Sequence, residues 1–572
     1  MSTIIESPYL NLRAEQRNTY DAIVVGSGIS GGWAAKELTE KGLKVLLLDR
    51  GWNLEHGKGY ETAFKFPWDF KYRGRLTDEQ RRTHPYLSRD YPYQESNHKY
   101  WFNDLDAPYT EIKRFDWYRP NIVGGRSIMW GRQSYRLSPM DFEANAKEGI
   151  AVDWPVRYEE IAPWYDYVER FAGISGQNEG LEQLPDGQFL PPMQMNCVEK
   201  QVAARIKQNF KGRIMTIGRV ANLTQPHNGR GACQYRNLCH RGCAYGAYFS
   251  TQSATLPAAM KTGNLTLRPL SVVSEVIYDE QKGRAKGVRV IDAETKEVIE
   301  YYAKIIFLNA STLWTTHILL NSTSNRFPNG LGNDSGQVGH NLMDHHFRIG
   351  ATGESDDHRE DYYMGRRANG IYIARFRNIG NDKREYLRGF GYQGGASRKG
   401  WQRGIAEMGF GADFKDELSE PGIWTMGITA FGECLPYYEN KVTLNREKLD
   451  KWGLPTLIID CEFKENERLM RKDMMNDAAE MLEAAGLKNV KTYDAGSYPG
   501  MGIHEMGTAR MGRDPKTSVL NKYNQMWAVP NVFITDGSFM TSSACQNPSL
   551  TYMAFTARAC DYAVSEMKKG NL

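Results

Sequence analysis

The chain has 572 residues, 41% hydrophobic and 24% charged, a length that calls for more than one core and a composition ordinary for globular proteins. Its 72 Lys and Arg against 68 Asp and Glu leave a formal charge of +4, which makes no electrostatic case for nucleic acid or an anionic membrane. No run reaches the roughly 18 apolar residues of a spanning helix, and the opening MSTIIESPYLNLRAEQRNTYD lacks the apolar stretch of a secretory signal, so the chain reads as soluble.

The first elements are legible from residue 20 onward. Ala22 to Val25 is a short apolar run rich in β-branched residues and predicts a buried strand. Gly26, Gly28 and Gly31 then supply GxGxxG where that strand ends. Ala34, Ala35 and Leu38 mark a helical face, and Val45 to Leu48 predicts a second buried strand ending at Asp49. Such glycines permit a tight turn and close backbone approach to a pyrophosphate at the positive end of a helix. Asp49, 23 residues past Gly26, is placed to accept hydrogen bonds from a ribose. The motif alone does not separate NAD from FAD.

Residues 52–120 form a long insertion dense in aromatic and charged residues, expected to cover the nucleotide domain, with a lid or oligomer contact as the alternative. A second glycine pair, Gly124 and Gly125, sits in VGGRSIMWGRQSYRLSPMDF. Next come three cysteines in C-x5-C-x3-C spacing, Cys233, Cys239 and Cys243, while the other five cysteines lie scattered. An odd cluster cannot close wholly into disulfides, so metal ligation is the natural chemistry. An iron–sulfur cluster would use the three thiolates, with any fourth ligand absent or distant, for which Cys197 is a candidate. A structural zinc ion would add His240, and buried free thiols are a third reading.

Ile305 to Ser322 predicts a buried strand and then a helix, followed by NLMDHH. The run Asp344-His345-His346 reads as framework, because adjacent side chains diverge and no further metal ligands are evident. Within 347–500, alternating stretches such as GIYIARFRN and GIWTMGITAFGE predict strands of a second sheet. Trp401, Trp424 and Tyr437 are candidates to stack on sugar rings, against the plainer reading that strand aromatics fill a core. The chain closes with HEMGTARMG, VFITDGSFM and QNPSLTYMAF. From Asn547 onward a helix is expected, with Asn547 as N-cap, Pro548 in the first turn, lysines in the last turn and Gly570 as its stop.

The GG loop, NLMDHH, HEMGTARMG and the final two segments, in this order, resemble the glucose–methanol–choline (GMC) family of FAD-dependent oxidoreductases over nearly the whole chain. The resemblance implies an α/β fold with a Rossmann-like FAD-binding domain and a second, mixed-sheet substrate-binding domain. The first would comprise 1–150, 215–346 and 497–572, carrying the 52–120 insertion and the 233–243 cysteine loop; the second would comprise 151–214 and 347–496. It assigns FAD to Gly26, Gly28, Gly31, Asp49, Gly124, Gly125, Asp536, Gly537, Asn547 and Pro548. Asp49 stands where members usually have Glu. Met129 stands where several members carry a flavin-linked histidine, which implies noncovalent FAD.

The same resemblance makes His504 the catalytic base and Asn547 its partner. Histidine suits that task because its ordinary pKa is about 6.5. A bacterial branch of the family, including FAD-dependent glucose dehydrogenase, carries three similarly spaced cysteines that hold a [3Fe–4S] cluster, which here implies Cys233, Cys239 and Cys243. This points to a dehydrogenase oxidising a secondary hydroxyl of a sugar or glycoside, glucoside 3-dehydrogenase being the first candidate. Its expected partners are a small subunit and a cytochrome c-type acceptor, with no nucleic acid and no membrane span. Its expected place is the periplasm, by co-export with a signal-bearing partner, or alternatively the cytoplasm. The competing readings are an O2-using pyranose-type oxidase with structural zinc and a non-catalytic electron-transfer subunit.

Overall fold

The uninterrupted apolar stretch after Asp21 forms a strand, Thr19–Val25 (β1), and a turn carries the chain into a helix, Ile29–Glu40 (α1), and a second strand, Val45–Leu48 (β2). The structure is a computed structural model that describes residues 18–89, 91–361, 367–400 and 409–572; Trp401 and the first 17 residues of the segment read for a leader lie outside the described residues. β1 and β2 pair in parallel, Val25 opposite Leu48, and all four residues of β2 are buried, as a strand covered on both faces requires. Leu265–Arg268 adds a parallel strand beyond β2, while Val298–Leu308 and then Val532–Ile534 add parallel strands on the other side of β1. A hairpin, Ser271–Asp279 with Arg284–Asp292, pairs antiparallel with the first half of Val298–Leu308 and completes a seven-stranded sheet.

At the turn after β1, Gly26 takes a left-handed φ of 88° that L side chains rarely adopt. A Cβ on Gly31 would stand 1.7 Å from the Gly26 carbonyl oxygen, so glycine alone lets α1 seat on the turn. α1 packs against Leu256–Lys261 and the C-terminal helix Ser549–Lys568. That last helix begins one residue later than expected. Pro548 is its N-cap, no side chain caps it, and Asn547 is left available for other contacts.

The second sheet runs Lys488–Asp494, His346–Ser355, Trp424–Gly432, Phe390–Arg398, Ile371–Ile373 and Met215–Ile217. Every junction in it is antiparallel, so the mixed pairing expected here is found instead in the first sheet. Helices Cys197–Asn209 and Glu465–Ala484 supply apolar side chains to its core, which also buries Trp424. Trp424 is therefore a core residue, and Tyr437 places its hydroxyl on Glu467, 3.1 Å away; neither lines the cavity described below.

Two domain boundaries move. Met215–Ile217 belongs to the second sheet, because it pairs with Ile371–Ile373. Trp154, Val156 and the helix Tyr158–Ala172 belong to the first core, with the helix packed on the C-terminal helix. Their apolar residues face that core, a preference that sequence spacing around 150 does not reveal. Trp154 is fully buried, donates from Nε1 to Ser542 Oγ at 2.8 Å and packs on Phe142, Phe539 and Phe555. Replacing it with Ala removes a large packed ring and a satisfied donor. Trp154→Ala is expected to cost about 3–5 kcal/mol of unfolding free energy, read from the urea midpoint of the purified protein.

Candidate active site

The ends of the parallel strands open into one cavity of about 580 Å³ that touches both sheets. Val25 to Ser30, Leu48 to Arg50 and Asn309 to Thr312 line it from the first sheet, and Phe347, Gln393 and Phe431 from the second. The insertion contributes too: Tyr91, Asn97, Trp101 and Trp117 to Pro120 form part of the wall, so it lines the cavity rather than only the outer surface.

At the strand-end rim the glycines have open space before them. A Cβ at Gly28 would meet nothing within 4 Å, and one at Gly125 only the Gly28 Cα at 3.6 Å. Gly28 caps α1 without a side-chain bond, so the first N–H groups of the helix remain available to an anion. Asp49 is buried, with Oδ2 accepting from the Ser27 amide at 2.9 Å and Oδ1 from the Gly51 amide at 2.7 Å. Burial raises its pKa above the ordinary carboxylate value despite those bonds. Asp536 accepts from Ser538 and from Thr315 Oγ1 at 2.5 Å, and its pKa is likewise raised by burial. Gly26, Gly28, Asp49, Gly125, Asp536 and Gly537 all line the cavity. Gly31, Gly124 and Pro548 do not; they shape the backbone behind it.

Several buried polar groups on this wall have no hydrogen-bond partner among the described residues. Asn309 Nδ2, Arg50 Nε and Nη2, and the Tyr552 hydroxyl are among them. The Arg50 guanidinium lies over the rings of Phe102, Trp314 and Trp452, at 4.7, 4.0 and 4.9 Å. Buried donors without acceptors are costly, and a ligand bearing phosphates, a ribose and ring nitrogens supplies acceptors of the required kind. The glycine cradle, the free helix amides and these donors together fit FAD.

His504 and Asn547 line the same cavity. His504 sits on a segment pinned by Asp344, which accepts from the Gly502 amide at 2.9 Å and the His504 amide at 3.0 Å. The His504 ring meets His345, Nδ1 to Nδ1, at 2.7 Å, and His345 Nε2 lies 2.7 Å from the Ala544 carbonyl oxygen. Burial, His345 and Arg126 hold the His504 pKa well below its ordinary value, so the ring is neutral. Asn547 accepts at Oδ1 from Gln393 Nε2 at 2.6 Å, which leaves its own amide hydrogens for the cavity. Arg126, on the glycine loop, pairs with Glu505 at 2.7 Å and ties that loop to the His504 segment.

Both candidates read from the sequence line this cavity, whereas Arg126, Glu505, His345, Gln393 and Arg50 were given no role there. Arg126, Glu505 and His345 lie inside motifs already singled out. Gln393 sits in an unmarked strand, and nothing in its neighbours signals the contact with Asn547.

Cys233, Cys239 and Cys243 are half-buried on one loop, with Cys233 and Cys239 packed beside Met193 and Ile217. Among the described residues, the one trio of His, Cys, Asp or Glu ligand atoms within 4.8 Å of one another is Cys197, His358 and Asp361. A zinc ion with Zn–S bonds of about 2.3 Å draws its sulfurs to about 3.8 Å, closer than the three loop cysteines stand as a set. His240 lines the main cavity, its pKa lowered to about 4 chiefly by burial, and Cys197 sits instead beside His358 and Asp361. The loop therefore does not present a preformed Cys3His zinc site, nor Cys197 as a fourth ligand to the trio.

Comparison with known proteins fits this geometry. Family models described as GMC oxidoreductase match residues 20–347 and 436–556. The chain belongs to the GMC oxidoreductase family. It is 30% identical to 2-methyl-1,2-propanediol dehydrogenase of Mycolicibacterium austroafricanum, over 95% of this chain and 94% of that one. It is 27% identical to the fructose dehydrogenase large subunit of Gluconobacter japonicus, over 96% and 98% of the two chains. Among solved structures, pyridoxine 4-oxidase from Mesorbium loti shares the fold with a TM-score of 0.60 at 15% identity, covering 95% of this chain and 99% of that one. The GMC fold, the FAD-type nucleotide site and an oxidoreductase chemistry on CH–OH groups follow from membership.

One pH effect follows from Asp344, whose pKa burial and Glu505 raise from 3.8 to about 7. The folded protein keeps that proton where the unfolded chain has lost it, so this group makes stability fall as pH climbs from about 4 to about 7. In Asp344→Asn the fall in urea midpoint over that interval is expected to be shallower than in the wild type.

Proposed function

We propose that the protein is a dehydrogenase that oxidises a secondary hydroxyl of a sugar or glycoside, with the 3-position of a glucoside as the first candidate. The observation that carries this is the shared cavity, which places His504 and Asn547 in one space with the strand-end nucleotide cradle. A carbohydrate substrate is supported by the fructose dehydrogenase large subunit among its relatives.

FAD, held noncovalently with Met129 on the cavity wall, supplies the hydride acceptor when bound. His504 takes the hydroxyl proton of the substrate on its free ring nitrogen. Asn547, its Oδ1 already held by Gln393, directs its amide hydrogens at the same substrate oxygen and orients it. The base stays neutral at working pH because burial and Arg126 disfavour its charged form, so a lone pair is always present. The insertion and the second sheet close the walls and limit the access of water.

Cys233, Cys239 and Cys243 would hold a [3Fe–4S] cluster, which supplies one-electron carriage toward a cytochrome-type acceptor. Two observations support this reading. The cysteine loop reaches the cavity wall through His240, and Arg132, on the same wall, lies within electrostatic range of Cys239 and Cys233.

His504→Ala is expected to lower kcat by about 10²–10⁴-fold with flavin content unchanged. The measurement is dye-linked oxidation of glucosides and fructose, and undiminished turnover would exclude His504 as the base. Iron and acid-labile sulfide in the purified protein, lost in Cys239→Ser, are expected alongside; rapid peroxide formation with zinc and no iron would show an oxidase instead.

A further inference from the structure

Asp344-His345-His346 is more than framework, and its three members have separate tasks. Asp344 pins the backbone of Gly502 and His504, and His346 packs beside Phe463 with ring centroids 5.4 Å apart. The His345 ring has a different pair of hydrogen-bond partners. It stands between the Ala544 carbonyl and His504, 2.7 Å from each, at 85° to the His504 ring.

The hydrogen positions follow from the chemistry of the partners. A carbonyl oxygen can only accept, so His345 Nε2 carries a hydrogen. Burial keeps the His345 ring neutral, its pKa pushed down to about 4, and a neutral imidazole has a single N–H. Its Nδ1 is therefore a bare acceptor. The 2.7 Å contact between the two Nδ1 atoms needs one hydrogen between them, and that hydrogen must sit on His504. With its one hydrogen on Nδ1, neutral His504 keeps its lone pair on Nε2.

We propose that His345 is a positioning residue that relays the Ala544 carbonyl to His504 and selects the His504 tautomer whose Nε2 is free to take the substrate proton. The inference rests on His504 being the base. In water a neutral histidine favours the opposite tautomer, so the selection has to be imposed by a neighbour. Both ends of the relay are held in uncommon backbone conformations. Ala544 has φ of 54°, and Ile503, immediately before His504, has φ of 59° although it is β-branched. Left-handed conformations of this kind persist where the surroundings enforce them, and they cluster at functional sites. The other ionisable groups facing the pair are Arg126 with Glu505, Asp344 beneath the His504 backbone, and His346 beside His345. None of them hydrogen-bonds either ring of the pair among the described residues.

The test uses flavin-loaded full-length enzyme with methyl glucoside and fructose and an artificial electron acceptor. His345→Leu is expected to lower kcat about 10²-fold with KM changed less than about threefold and flavin retained. His345→Asn, whose carbonyl oxygen accepts from His504 Nδ1–H, should recover kcat to within about tenfold of the wild type. His345→Asp should also keep turnover while moving the acidic limb of kcat/KM to higher pH, because a carboxylate favours the charged imidazole. Wild-type kcat in His345→Leu, an Asn variant as impaired as Leu, or an unmoved acidic limb in the Asp variant would overturn the relay. If His345→Leu does not hold flavin, the Asn and Asp variants decide alone. His504→Ala separates the two readings: turnover lost there but unchanged in His345→Leu refutes the relay only, whereas turnover kept in His504→Ala refutes the base assignment and the relay with it.

Discussion

Parallel pairing in strict register is the constraint on which the site depends. Val25 lies opposite both Leu48 and Leu308, and Leu308 opposite Ile534, so four strands end on one line. The residues that follow, Gly26, Asp49, Asn309 and Thr535 with Asp536, emerge together because backbone hydrogen bonds align the strands before any side chain acts. Asn309 then locks the rim: its amide reaches the Val25 carbonyl at 2.8 Å, and its Oδ1 accepts from Thr535 at 3.1 and 2.9 Å. A Cβ on Gly26 would stand 2.3 Å from the Asn309 carbonyl oxygen, so the rim closes only around glycine.

Several charged residues in this interior are paired with one another. Arg126 with Glu505 joins the glycine loop to the segment of His504, and Arg388 with Glu433 lies fully inside. Burying such pairs yields little net stability, since desolvation offsets attraction. What they supply is position: each fixes two segments that are distant in sequence. Asp344 works differently, holding two amides with a carboxyl that burial inclines toward its protonated form.

What the sequence made legible was local. The β1–α1–β2 unit, the left-handed glycine turn, the acid at the end of β2 and the C-terminal helix with its Gly570 stop all depend on neighbours within a few residues, and they were read close to their observed bounds. His504 and Asn547 were read from motifs and do meet in one cavity. The misses share a physical cause. Gln393 meets Asn547 across 154 positions, and His345 meets His504 across 159, contacts that no local pattern encodes. Trp424 shares its strand face with Met426, Ile428 and Ala430, and helices Cys197–Asn209 and Glu465–Ala484 cover that face, so the plainer reading of a core aromatic holds. The helix start moved from Asn547 to Pro548 because Gln393 claims the Asn547 carbonyl oxygen, an interaction supplied by the other sheet.

The cavity wall draws on the glycine loop near 126, the strand at 393, the turn at 504 and the helix start at 547, with the insertion near 100 closing one side. Contacts of such long sequence separation form late in folding, because the loops between them must close before any contact rewards the closure. While a chain is being synthesised, the β1–α1–β2 unit is complete hundreds of residues before its last parallel strand and the Asn547 wall exist. Flavin capture therefore waits on the C-terminal segments that complete the cavity wall.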